Sequence, residues 1–299
     1  SSGEIKDAAL LALTIKSALK NARIGARHVI ASLPETKTFL KLLHLPAHDT
    51  TPIASRVEAE LQKHIPYALE EIVWDFTIIH QTEMTILVLA GTAPKALANS
   101  YTLAIRDAGL TAIELDLEPL AIARAVIQDG PRGGCALIAD LGATKSTLIL
   151  ATGETVMHTA DAQSSGDALT ARLAETLKIE PNAAEDMKKN QGLTGGTSEY
   201  QAIVQAYATN LSNRIATIAG FPVSREFCPG VTEILLTGGG ALLQGLPEYL
   251  TASLKIPCVL GNPLVNVLKK RRHDIPQEIG VRFATAFGLA IAALRHGHL

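Results

Sequence analysis

Three short stretches of this sequence carry residue types suited to a phosphorylated ligand. The first is Thr237-Gly238-Gly239-Gly240-Ala241, which follows the apolar run Ile234–Leu236 and leads into another apolar stretch. Glycine admits positive φ and leaves no Cβ in the path of a ligand. A strand, a glycine turn and a helix start therefore bring free backbone N–H groups to whatever binds there. The spacing is neither that of a Walker A loop nor that of a dinucleotide fold. The second stretch is Asp140-Leu141-Gly142-Ala143-Thr144-Lys145, where a strand ends in an acid and turns through small and hydroxylated residues. An acid so placed can hold a hydrated Mg2+, and the turn amides can cradle phosphate. The third is Glu185 with Lys188, one turn apart on a helical face. That pair can hydrogen-bond a ribose hydroxyl and cover a purine. Each stretch alone also fits a plainer reading: a strand-to-helix turn, a hairpin, a solvated helix face.

These stretches need elements to position them. Apolar spacing predicts a helix over Ile5–Lys20, strands over Arg27–Leu33 and Lys37–Leu45, and a helix over Pro52–His64 that Pro66 ends. Strands over Ile72–His80 and Thr85–Ala90 follow. Then come a helix over Lys95–Ala108 capped by Gly109, a strand over Thr111–Leu117 and a helix over Pro119–Ile127. A linker, Gln128–Gly134, opens a second half. Its strands are Cys135–Ala139, Ser146–Ala151 and Thr155–Asp161, the last two joined as a hairpin at Gly153-Glu154. Helices over Ala168–Leu177, Ala183–Lys189 and Glu199–Ala219 come next. The Ile234 strand, a helix over Gly245–Leu254, a strand at Val259 and a final helix over Val281–Leu294 complete the chain. Strands and helices alternate on both sides of the linker, which gives an α/β, two-domain reading.

Composition removes several function classes. The 299 residues are 47% hydrophobic and 19% charged, so the chain buries sizeable cores. A net charge of -2 and 4% aromatics leave neither an electrostatic footprint nor stacking platforms for nucleic acid. The longest apolar run, Ala284–Leu294, is too short for a membrane span. Glu4, Lys6 and Asp7 stand where a signal peptide would be apolar. Cys135, Cys228 and Cys258 lie far apart with no CxxC spacing. They read as reduced, buried thiols of a cytoplasmic protein. The basic run Lys269-Lys270-Arg271-Arg272-His273 reads as a solvated loop, and His296 and His298 as a loose tail.

Together and in this order, the three stretches resemble the nucleotide site of the superfamily of actin, heat-shock chaperones and sugar kinases. Asp140-Leu141-Gly142 is similar to its second phosphate loop and Thr237–Ala241 to its adenosine loop. Glu185, Lys188 and Gly192 are similar to the Glu-x-x-Lys-x-x-x-Gly purine segment of the cell-division protein FtsA. Leu117-Glu118-Pro119 resembles the junction where actin-like proteins carry a water-orienting Glu or Gln, and Phe283–Ala290 resembles their last helix. The resemblance implies ATP or ADP with Mg2+ as cofactor. It implies Gly142, Ala143, Thr144, Gly166, Glu185, Lys188, Gly238, Gly239, Gly240 and Ala241 around the nucleotide. Asp140 would be the metal ligand, and Glu118 with Asp140 the catalytic pair of what is at most a slow ATPase.

Within that superfamily, the segment Glu60–Phe76, with its Ile65-Pro66-Tyr67 and Glu70-Glu71, is similar to the PilM family of type IV pilus assembly proteins. So is the opening Gly3-Glu4-Ile5-Lys6-Asp7. Pro66 stops the helix, and Tyr67 is suited to anchoring the turn to the next strand. The resemblance implies an actin-like, two-lobed, ribonuclease-H-like α/β fold. Residues 1–33 and 109–132 would form an incomplete first lobe, 34–108 an inserted small subdomain of FtsA/PilM type, and 133–299 the second lobe with the nucleotide loops. PilM-like proteins open with a hairpin bearing an Asp-x-Gly-Ser phosphate loop, and no such hairpin precedes Gly3. Either the sequence is a piece of a longer chain that carries the hairpin, or, if it is complete, the expectation is a first-lobe sheet with an open edge, weak triphosphate binding and no hydrolysis to speak of. The resemblance further implies a cytoplasmic scaffold, peripheral to the inner membrane through its partners in the pilus complex. It would hold the N-terminal cytoplasmic peptide of PilN in a groove beside the small subdomain, with self-association left open. Two other readings stand beside it: an FtsA-like filament protein or GspL-like secretion component, and a sugar-kinase-like phosphotransferase. For the last, no second acid beyond Asp140 and Glu118 presents itself.

Overall fold

The computed structural model describes residues 3–128, 134–221, 228–267 and 275–295. The basic run at 269–273, His296, His298 and most of the Gln128–Gly134 linker lie outside the described residues. The chain divides into two compact units, Ser1–Ala121 with Ala292–Leu299, and Ile122–Ile291.

The first unit opens with α1 (Ala8–Asn21), whose N-cap Asp7 accepts a hydrogen bond from the Leu10 amide. Strand β1 (His28–Leu33) pairs in parallel with β5 (Thr111–Leu117), from His28 opposite Thr111 to Leu33 opposite Leu117. Between them come β2 (Phe39–Pro46), α2 (Ile53–Leu61), β3 (Ile72–Gln81), β4 (Thr85–Pro94) and α3 (Lys95–Asp107). Strands β2, β4 and β3 form an antiparallel sheet in that order. Alternation along the strands turns Leu43, Leu45, Ile86, Val88 and Ala90 to one face, where Val57 and Leu61 of α2 close a small core. Tyr67 departs from expectation: it is 44% exposed. Ile65 and Leu69, both packed into that core, tie the turn to the sheet instead. Helix α3 packs elsewhere, its Leu97, Ala98 and Ile105 joining cores with Leu33, Leu117 and Ala12. Among the described residues β1 pairs with β5 alone. Leu10 and Leu13 of α1 are 62% and 64% exposed.

Helix α4 (Glu118–Val126) leads into the second unit. There β6 (Cys135–Leu141), β7 (Ser146–Thr152), β8 (Thr155–Asp161), β9 (Val231–Thr237) and β10 (Cys258–Leu260) form one sheet in the order β10-β9-β6-β7-β8. Strands β10, β9 and β6 run parallel, and β6, β7 and β8 antiparallel. Helices α5 (Gly166–Leu177), α6 (Pro181–Gln191), α7 (Ser198–Ala219) and α8 (Leu246–Leu254) accompany it. The core joins Leu137, Leu148 and Leu236 of the sheet to Tyr200, Val204 and Leu211 of α7.

Three expectations are corrected here. The final helix is two helices, α9 (Gln277–Arg282) and α10 (Ala284–Arg295), broken at Phe283. The Val281 carbonyl, which an unbroken helix would keep for its own next turn, accepts from the Gly238 amide at 2.9 Å. The glycine turn leads into a single 3-10 turn, Gly239–Leu242, rather than directly into an α-helix. Two of the three cysteines are not free thiols. Pairing of β6 with β9 brings Cys135 and Cys228, 93 residues apart in sequence, to a Cα separation of 5.3 Å as a disulfide, and Cys258 is left as a buried thiol.

Candidate functional site

The carboxyl ends of parallel strands are where open α/β sheets present their ligand crevices. In the second unit those ends are Asp140 on β6 and Thr237 on β9, opposite each other in register. Thr237 is fully buried, and its hydroxyl donates to Asp140 Oδ1 at 2.8 Å. Burial pushes the Asp140 carboxyl above its ordinary range, and the Thr237 bond acts in the opposite direction.

Beyond these strand ends lies a cavity of about 880 Å3. The β6–β7 turn contributes Gly142 and Ala143, the start of α5 Gly166, and α6 Glu185 and Lys188. The glycine turn contributes Gly239, Gly240 and Ala241. Eight residues singled out from the sequence thus share one concave surface. Asp140, Thr144 and Gly238 do not line it, and Glu118 belongs to the first unit, at the head of α4.

Each glycine in the turn has a different physical task. Gly238 has φ +78, and a Cβ there would stand 2.5 Å from the Leu141 carbonyl oxygen. Gly240 presses on Leu141 as well, its Cβ position 2.9 Å from the Leu141 Cβ. Gly239 alone faces open space, with nothing within 4 Å of where a Cβ would go. The outer glycines therefore fit the turn against β6, while the middle one keeps the cavity clear.

Glu185 and Lys188 are not a solvated face. Lys188 Nζ donates to Glu185 Oε2 at 2.6 Å, to the Thr170 hydroxyl at 2.7 Å and to the Gly166 carbonyl at 3.0 Å. The Thr170 hydroxyl reaches the same Glu185 oxygen at 2.6 Å. Burial disfavours the Glu185 charge, but hydrogen bonds from Lys188 and Thr170, the Lys188 charge and a bond from Lys189 outweigh it. They hold the carboxyl down at about 2. Gly192, at the end of α6 with φ +58, lets the chain pass under Gln244, whose carbonyl accepts from the Leu193 amide at 2.9 Å. That bond locks α6 to the loop that follows the glycine turn.

Sequence reasoning missed the wall supplied by α9. Glu278 and Arg282, one turn apart, line the cavity. The bond from Gly238 to the Val281 carbonyl holds their helix against the glycine turn. Asp167, Lys189, Tyr207, Gln244 and Glu248 complete the polar lining. The i, i+4 spacing of Glu278 and Arg282 is a visible signal, but nothing local in the sequence aims it at the glycines.

Residues 1–294 match the family model of the type IV pilus assembly protein PilM. The chain belongs to the PilM family. Among curated proteins, it is similar to the cell division protein FtsA of Neisseria meningitidis serogroup B, 24% identical over 64% of this chain and 50% of that protein. It is also similar to FtsA of Streptococcus pneumoniae serotype 2, 26% identical over 52% of the chain and 38% of the relative. The chain thus spans half or less of the length of these relatives. Among solved structures, the PilM-PilN type IV pilus biogenesis complex matches with TM-score 0.79 and 26% identity, over 98% of this chain and 88% of that one. MreB5 of Spiroplasma citri bound to ADP matches with TM-score 0.60 and 13% identity over 99% and 78%, a likeness of fold alone. The PilM-family fold is therefore actin-like. No helix among the described residues is long and apolar enough to cross a membrane.

Proposed function

We propose that this chain is a nucleotide-binding scaffold of the type IV pilus machinery. It works at the cytoplasmic face of the inner membrane by holding the N-terminal peptide of a PilN-type partner. The observation that supports this most is the likeness over 98% of the chain to a PilM–PilN complex. An extended peptide satisfies its main chain against an open strand edge and fills pockets with alternate side chains. The three-stranded sheet of the first unit, within the proposed small subdomain of residues 34–108, offers such an edge at β3. Val73 and Ile78 on that strand are exposed. Fluorescence anisotropy with a labelled PilN N-terminal peptide tests the reading. Saturable binding that survives added salt supports it, because apolar burial is not screened. No binding would remove the scaffold role and move weight to an FtsA-like one.

The cofactor in this reading is an adenine nucleotide, ATP or ADP, between the Gly142 turn and the Gly239 turn. The cavity suits it: backbone without side chains at Gly239, and a pre-ordered Glu185 carboxylate to accept from ribose hydroxyls. Mg2+ asks for one or two carboxylates and completes its shell with phosphate and water. Asp140, at the end of β6, would be the carboxylate for it, although it does not line the cavity and among the described residues no group of three or more His, Cys, Asp or Glu side chains is placed to hold a metal. When bound, the ion would neutralise phosphate charge. Any hydrolysis would be slow and would rest on Glu118 to orient water. Calorimetry with ADP, with and without Mg2+, tests this half separately. Absence of heat in both titrations would withdraw it.

A further inference from the structure

The Glu185 carboxylate and the Gly142–Ala143 turn lie on different elements of the cavity wall, yet hydrogen bonds inside the protein join them. The two Glu185 oxygens differ. Oε2 takes the Lys188 ammonium and the Thr170 hydroxyl, each at 2.6 Å. Oε1 has a longer contact, from the exposed Lys189 at 3.4 Å. A carboxylate oxygen has two acceptor sites, so Oε1 is the oxygen with capacity for a ribose hydroxyl.

The same network runs on to the turn. Lys188 Nζ donates to the Gly166 carbonyl at 3.0 Å, and the Thr170 hydroxyl stands 3.0 Å from that carbonyl. On its other side Gly166 donates its amide to the Gly142 carbonyl at 3.0 Å, and the Asp167 amide donates to the Ala143 carbonyl at 2.8 Å. A Cβ on Gly166 would stand 3.5 Å from the Ala143 Cα and 3.6 Å from Lys188 Nζ, so the residue is packed between turn and ammonium. A trans peptide points its C=O and N–H in opposite directions. Holding the Gly142 and Ala143 carbonyls on α5 therefore aims the Ala143 and Thr144 amides away from that helix. Thr170 is not among the residues that line the cavity, so any effect it has on a ligand passes through its neighbours.

We propose that Thr170 and Lys188 are positioning residues of the nucleotide site. They hold the Glu185 carboxylate and, through Gly166, the phosphate turn as one unit. The inference rests on the nucleotide reading and deepens it: ribose and phosphates are recognised by one connected frame. Groups fixed before the ligand arrives spare it the cost of ordering them.

Calorimetry on the full chain tests this with ADP and with dideoxy-ADP, which lacks both ribose hydroxyls. The variants are Thr170→Val, which keeps the shape and removes the hydroxyl, and Thr170→Ser, which keeps the hydroxyl. T170V should weaken ADP about tenfold and dideoxy-ADP about threefold, the second through the turn alone, both within the range of one hydrogen bond. T170S should bind ADP within about twofold of the parent. Unchanged binding stoichiometry shows that T170V is folded. A plain tie between α5 and α6 would lower the melting temperature and leave both affinities alone. A parent chain that does not bind ADP overturns the nucleotide reading and this inference with it. A parent that binds ADP, matched by T170V, overturns this inference alone. So does dideoxy-ADP binding that T170V leaves unchanged, or a T170S variant as weak as T170V.

Discussion

Thr237 donates its hydroxyl to Asp140 across 2.8 Å, joining the carboxyl ends of two neighbouring parallel strands. The bond matters because Asp140 is in two situations at once. Burial opposes its charge, while the proposed role requires the charge. A buried hydroxyl on the adjacent strand is an economical way to keep the carboxylate oriented.

The Asp140 carboxyl is raised in the fold, so its ionisation weakens the fold. The penalty is absent below the ordinary carboxylate range and grows as pH rises from the unfolded pKa through the folded one. Asp140→Asn should therefore gain stability relative to the parent as pH rises above the ordinary carboxylate range in magnesium-free buffer. Urea denaturation at several pH values reads this. A parallel pair of curves would show that Asp140 does not titrate as described. Thr237→Val should cost about 1–2 kcal/mol, the price of stranding a buried acceptor.

Glu185 has the opposite sign. Its carboxyl sits at about 2 in the fold against 4.5 when free. Stability from the Lys188–Thr170 network is thus complete above the unfolded value and lost as pH falls through the folded one. The side chain is 34% exposed, so solvent screening reduces the contribution to about 1 kcal/mol. Glu185→Gln should flatten the acid limb of the stability curve by about that amount. An unchanged limb would place the acid sensitivity elsewhere.

Gly238→Val and Gly239→Val should separate folding from binding. The first forces a β-branched residue into φ +78 against the Leu141 carbonyl and should cost about 2 kcal/mol or more. The second meets nothing and should change stability by about 0.5 kcal/mol at most. It should nonetheless weaken ADP binding at least about tenfold, because its side chain enters the cavity. Melting curves and calorimetry on both variants decide, and undiminished ADP affinity in Gly239→Val would remove this turn from the site.

Much of this was legible because the signals are local. Strands β5 and β8 run over the residues that alternation and the Gly109 and Gly153 turns predict. Glu185 and Lys188 could be paired from one turn of helix. What could not be read depends on contacts between distant segments. The Gly238 amide breaks the last helix by taking the Val281 carbonyl. The β6–β9 pairing joins Cys135 to Cys228. Thr170, unremarkable in sequence, becomes the third member of the Glu185 network only when α5 packs on α6. Tyr67 belongs here too: an aromatic after proline suggests an anchor, yet it is 44% exposed while Ile65 and Leu69 pack into the core.

The Lys188 ammonium makes three protein hydrogen bonds, to Glu185, Thr170 and Gly166, and an ammonium has only three hydrogens to give. Its neighbour Lys189 makes a looser contact to Glu185 at 3.4 Å. Acylation needs an amine that can shed a proton and approach the reagent. Side-chain exposure of 13% at Lys188 against 60% at Lys189 makes the two adjacent lysines unequal as nucleophiles. Acetic anhydride should label Lys189 and spare Lys188 until α6 parts from α5, so the ratio of the two acetylated peptides becomes a chemical clock for the opening of that joint.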